Sequence, residues 1–117
     1  MSETLIANLR TQLGGPRDGA MLRYSLGNAL LSSGDAAQAV LQLREALTFD
    51  PEYSAAWKAL GKAQLAVGDI TAAAEAWREG IGVADRRGDV QASREMTVFL
   101  NRLQKQASGG GLAAQRR

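Results

Sequence analysis

Apolar residues recur along this chain at the three- and four-residue spacing of helices that are wet on one side only, in six stretches separated by Gly, Pro and Asp. Leu5, Ile6, Leu9 and Leu13 mark an opening helix, with Ser2 as its N-cap and Gly14-Gly15-Pro16 as its stop. Asp18 can cap the next helix, whose apolar face is Leu22, Leu26, Ala29 and Leu30 and which ends near Ser33-Gly34. Asp35 then heads a stripe of Ala39, Val40, Leu43, Ala46 and Leu47, which Pro51 ends while preparing the first turn of the next helix. That next helix carries Ala56, Trp57, Leu60, Ala63 and Leu65, and its successor Ala73, Ala74, Trp77, Ile81 and Ala84. Gly80 and Gly82 weaken the latter's end, which implies either a close contact with the next helix or a frayed last turn. Behind Asp89, the stripe Ala92, Met96, Phe99, Leu100 and Leu103 predicts a sixth helix, with Arg94, Glu95, Asn101, Arg102 and Lys105 facing away. From Ala107 the sequence ASGGGLAAQRR has little to bury and reads as a mobile tail.

The middle four helices are two copies of one unit. Leu26-Gly27 returns thirty-four positions later as Leu60-Gly61, and Ala29 with Ala63, Gly34-Asp35 with Gly68-Asp69, and Ala39 with Ala73 share that offset. Two helices per period of this length, with small residues at fixed places, resemble the tetratricopeptide (TPR) repeat. Trp57, Leu60 and Gly61 match the family's first-helix aromatic, Leu and Gly. Ala39 and Ala73 fill the small slot of the second helix, Leu43 and Trp77 its bulky slot, and Ala46 the second small slot before Asp50-Pro51. Arg23, Leu30, Gln64 and Gly80 depart from the pattern, and no Pro closes the second unit. The likeness spans residues 18–87.

It implies an all-α fold, a stack of helical hairpins of the α-solenoid type. Repeats at 18–53 and 54–87 would lie between an N-terminal helix (1–15) and a capping helix (89–106), with 107–117 a disordered tail. Such hairpins bury their apolar stripe only against a neighbour, and the last needs a cap with a polar outer face. Gly27, Gly61, Ala39 and Ala73 then let helix axes approach closely, so they are packing residues, as are Trp57 and Trp77.

Composition narrows the function. The 117 residues suit one domain, and 45% hydrophobic residues with two Pro fit a helical protein better than a sheet. With neither Cys nor His, the chain lacks the commonest metal ligands, the usual general base and a thiolate nucleophile. No enzyme activity, metal or cofactor is expected. The formal charge of +2 resides in Arg116 and Arg117, leaving residues 1–106 balanced. The start MSETLIANLRTQLGG lacks a basic leader before an apolar run, and no stretch reaches the roughly 20 apolar residues that span a bilayer. The expectation is a cytoplasmic protein without membrane contact.

The resemblance also implies a partner site, because first helices in this family line a concave groove. The groove would be built from Tyr24, Asn28 and Leu31, from Lys58, Lys62 and Leu65, and from Arg94, Val98, Asn101 and Arg102 of the capping helix. Some members clamp a partner's C-terminal carboxylates there with Lys, Asn and Arg; Asn28 fits that clamp, but Tyr24 and Ala59 replace two of its residues. The groove therefore carries over and that ligand does not. Lys58 and Lys62 repel each other on one helix face, which an acidic peptide would relieve. The reading is a non-catalytic module that binds a peptide or helix of another protein in a basic-leaning groove. Self-association into a homo-oligomer is the alternative, since two and a half repeats fall just short of the three or so that a stable array needs. Nucleic acid ranks below both, because the neutral body has no basic stripe interleaved with exposed aromatics.

Overall fold

The computed structural model describes the backbone of residues 2–115 and the side chains of residues 3–107. Six helices follow one another: α1 (Ser2–Arg10), α2 (Ala20–Ser32), α3 (Ala36–Phe49), α4 (Ser54–Ala66), α5 (Ile70–Arg87) and α6 (Val90–Gln115). No strand occurs among the described residues. Each helix packs on the next, as short connections between consecutive helices require.

One device turns the chain three times. Gly34, Gly68 and Gly88 take φ of +91°, +88° and +72°, the left-handed conformation that ends a helix at low cost only for Gly. The following amide donates back to the last turn, Asp35 to Leu30 O (2.9 Å), Asp69 to Gln64 O (2.9 Å) and Asp89 to Ala84 O (2.8 Å). Each Asp carboxylate then accepts from the amide three residues on, in Gln38, Ala72 and Ala92, and so starts the next helix. The turn at Gly88-Asp89 therefore shares the chemistry of the two repeat turns although it falls outside their thirty-four-residue register.

Asp18 does something else than cap. Gly19 occupies the N-cap position of α2 without a side-chain bond, while the Asp18 carboxylate takes the Gly14 amide at 2.9 Å and a two-point bond from the Arg23 guanidinium, both at 2.9 Å. The guanidinium, ahead of the Gly14 amide, holds the Asp18 carboxyl down to about 2. Arg23, which departs from the family's aromatic, thus ties the α1–α2 connection to α3, where it also reaches Gln42 Oε1 (3.1 Å).

Packing is set by the small residues. A Cβ on Gly27 would stand 2.6 Å from Leu43 Cγ, and one on Gly61 would press into the Trp77 indole, 2.5 Å from its Cδ1. One on Gly80 would meet Met96 of α6 and stand 2.7 Å from Trp57 Cβ. Gly80 is therefore there for close contact and not for fraying, whereas a Cβ on Gly82 would meet only Arg86 Nη1, at an ordinary 3.6 Å. Leu26, Leu43, Ala39, Ala46, Ala56 and Ala63 are fully buried in one core; Trp77, Ala84 and Met96 belong to a second, and half-buried Trp57 packs on both.

Curvature follows from which helices touch. α2 contacts α4 and α4 contacts α6, but among the described residues α1 and α3, and α3 and α5, stay beyond 8 Å between Cα atoms. The stack is drawn together on the α2/α4/α6 side and splayed on the α1/α3/α5 side, within a body of 56 × 31 × 21 Å.

The last helix differs from expectation. Its backbone remains helical to Gln115, past the end at 106 and through three consecutive Gly of the expected tail. Each of these Gly costs about 1 kcal/mol relative to Ala in a helix interior, which makes this end the weakest stretch of α6. Arg116 and Arg117, the rest of that tail, lie outside the described residues.

Candidate functional site

The residues expected to line a groove lie on α2, α4 and α6, the three helices of the drawn-in side. Tyr24, Asn28 and Leu31 lie half-buried along α2, and the Tyr24 ring rests on Tyr53 with centroids 5.0 Å apart. On α4, Leu65 is 41% exposed, Lys62 is exposed and Lys58 is half-buried. On α6, Arg94, Val98, Asn101 and Arg102 are all exposed, Val98 by half.

The charge pattern departs from the sequence reading in one respect. Glu95, expected to face away, turns toward α4 and receives Lys58 Nζ at 3.0 Å. Its neighbour one turn on, Phe99, lies 5.2 Å beneath Lys62 Nζ. Lys58 is thus neutralised within the chain, and the repulsion expected between the two lysines is relieved by α6 rather than left for a ligand. Lys62, Arg94 and Arg102 have no carboxylate partner within 4.0 Å among the described residues.

Two further contributors were not in the sequence set. Met21, 74% exposed, and Tyr53 line a recess of about 650 Å³ where α2 and α4 begin, alongside Asp50, Glu52, Arg87 and Asp89. Burial, with Tyr24 and Asp50 beside it, pushes the Tyr53 hydroxyl up. The Ser54 hydroxyl donates to Asp89 at 2.8 Å, and with the Ala92 amide holds the Asp89 carboxyl low. This end is acid-rich, with Asp50, Glu52 and Asp89 beside the one cation Arg87. Met21 could have been found by extending the groove spacing one turn back from Tyr24; Tyr53 stands in a turn, where helical spacing carries no signal.

The splayed side is built differently. Between α3 and α5, residues of α4 floor a second recess of about 530 Å³. Trp57 faces it with its indole N–H already donated to Pro51 O (2.8 Å). Gln64 also lines it, 5% exposed, its carbonyl Oε1 buried without a donor among the described residues. Leaving such a group unbonded costs about 1–3 kcal/mol. Trp77, by contrast, is core: 2% exposed, with its N–H on Lys58 O at 3.2 Å.

A curved stack of helical hairpins with one drawn-in face defines a helical-repeat scaffold. The TPR repeat family model matches residues 27–68. TPR repeat-containing protein PA0015 of Pseudomonas aeruginosa is 45% identical over 101 residues, covering 86% of this chain and 96% of that protein. The solution structure of protein BPP2914 from Bordetella parapertussis superposes with a TM-score of 0.77 at 39% identity, covering 87% of this chain and 89% of that one. The crystal structure of the Sgt2 TPR domain from Aspergillus fumigatus gives 0.81 at 23% identity, over 97% of this chain and 72% of that one, and speaks for the fold alone. The chain belongs to the tetratricopeptide repeat family. TPR domains generally mediate protein–protein interaction and are typically non-catalytic. No helix among the described residues is long and apolar enough to cross a membrane.

Proposed function

We propose that this chain is an interaction module whose α2/α4/α6 groove takes a peptide or helix of a partner protein, with acidic residues of that segment lying toward α6. The observation that carries this reading is the pairing of exposed apolar side chains, Leu65 and Val98, with Lys62, Arg94 and Arg102, cations that have no carboxylate partner among the described residues. Half-buried Leu31 and Tyr24 extend the apolar floor. Contacts of the apolar and aromatic kind supply affinity, and the cations set register and speed of encounter. Lys58 contributes as a spacer held by Glu95, not as a free charge.

Charge reversal tests the reading. A partner captured on immobilised wild-type protein should be lost with Lys62→Glu/Arg94→Glu and retained with Arg10→Glu, exposed on α1. Retention by the groove variant, or equal loss with both, would remove the groove as the binding face. Lys58→Glu is a poor probe, because it sets two carboxylates against each other in place of the 3.0 Å pair.

A further inference from the structure

The splayed face carries a site of its own, and the inference from it stands without the groove. The recess of about 530 Å³ between α3 and α5 falls within the roughly 300–1,000 Å³ of small-ligand pockets. Three parts of its lining act together. Trp57 offers apolar ring, since its N–H is committed to Pro51 O. Gln64, deeply buried, has a carbonyl oxygen without a donor among the described residues. Glu75 and Glu79, one turn apart on α5, are exposed and form no ion pair among the described residues.

We propose that this recess receives an arginine side chain presented by a partner protein. The guanidinium stacks on Trp57 and meets Glu75 and Glu79, and it draws Gln64 Oε1, shielded from solvent in the empty recess, round to accept one of its N–H groups. The chemistry matches: a guanidinium has five donors and no acceptor, it lies flat on aromatic rings, and two carboxylates against the single cation Arg44 leave the lining net negative. A lysine ammonium is a compact charge that cannot both cover the ring and fork to two acceptors. Arg44, on the α3 wall, repels the incoming cation and directs it to α5.

The test is an amide-shift titration of the isotope-labelled protein with N-acetyl-arginine methylamide, using the citrulline analogue as the uncharged isostere. The expected result is saturable shifts in the Gln64 side-chain amide, the Trp57 indole and the Glu75 and Glu79 amides, with binding about tenfold weaker for the citrulline analogue. Gln64→Leu should weaken binding by a similar factor, Glu75→Gln/Glu79→Gln should abolish saturation, and Arg44→Ala should tighten it. The exposed Glu75→Gln/Glu79→Gln pair decides the matter even if Gln64→Leu fails to fold. Equal response to both analogues, shifts confined to the α2/α4/α6 side, or affinity unchanged in the double variant would overturn the proposal.

Discussion

Gly61→Ala puts one methyl group where α4 and α5 come closest. The added Cβ would fall against the Trp77 indole, 2.5 Å from Cδ1 and from Cε2, and that ring is 2% exposed with its N–H on Lys58 O. Overpacking a core costs about 1–3 kcal/mol, and displacing the indole from its carbonyl strands a buried donor at about 1–3 kcal/mol. The gain in helix propensity returns only about 1 kcal/mol. The net loss is about 1–5 kcal/mol, a large share of the stability of such a domain, and lowers the Tm by about 4 °C for each kcal/mol. Urea titration followed by circular dichroism reads the loss as a lower midpoint at unchanged slope. Trp77→Phe in the same background should recover part of it, so that the two substitutions are coupled in a double-mutant cycle. A stabilised Gly61→Ala protein, or strictly additive behaviour, would refute the close approach on which the repeat packing rests.

Gly82→Ala is the matched opposite: it sits in helix α5, where a Cβ would meet only the far end of the Arg86 side chain at an unstrained 3.6 Å, so it should stabilise by about 0.5–1 kcal/mol in the same titration. Gln64→Leu removes the buried carbonyl without a donor and should raise the urea midpoint; a fall would mean that this oxygen is bonded in solution. Asp18 has its carboxyl held at about 2 when folded against 3.8 ordinarily, so its contribution is present above about pH 4 and disappears as pH falls toward 2. Wild type and Asp18→Asn should therefore differ in Tm at pH 6 and converge near pH 2, and a gap that persists at low pH would contradict the Arg23 pairing.

The parts of the fold that were readable from sequence are those where one residue type answers one local need. Only Gly tolerates the turns at 34, 68 and 88, and Asp follows each because it satisfies the amides of a new helix. The thirty-four-residue offset located the pairs of helices because each small residue faces a bulky one, Gly27 against Leu43 and Gly61 against Trp77. What escaped depended on contacts between distant elements. Asp18 has the composition of a cap, and only the nearness of Arg23 and Gly14 turns it into a tie. Glu95 lies on the polar side of its own helix, yet stacking brings it to Lys58, thirty-seven positions earlier. The recess over Gln64 exists because α3 and α5 diverge, and no local pattern encodes a gap between two helices.

The groove on α2, α4 and α6 is best tested by mapping where a ligand lands. An acidic amphipathic peptide titrated into the isotope-labelled protein should shift the amides of Leu31, Lys62, Leu65, Val98 and Arg102, with the response lost in Lys62→Glu/Arg94→Glu. Shifts gathered on α3 and α5 instead, insensitive to that charge reversal, would contradict it.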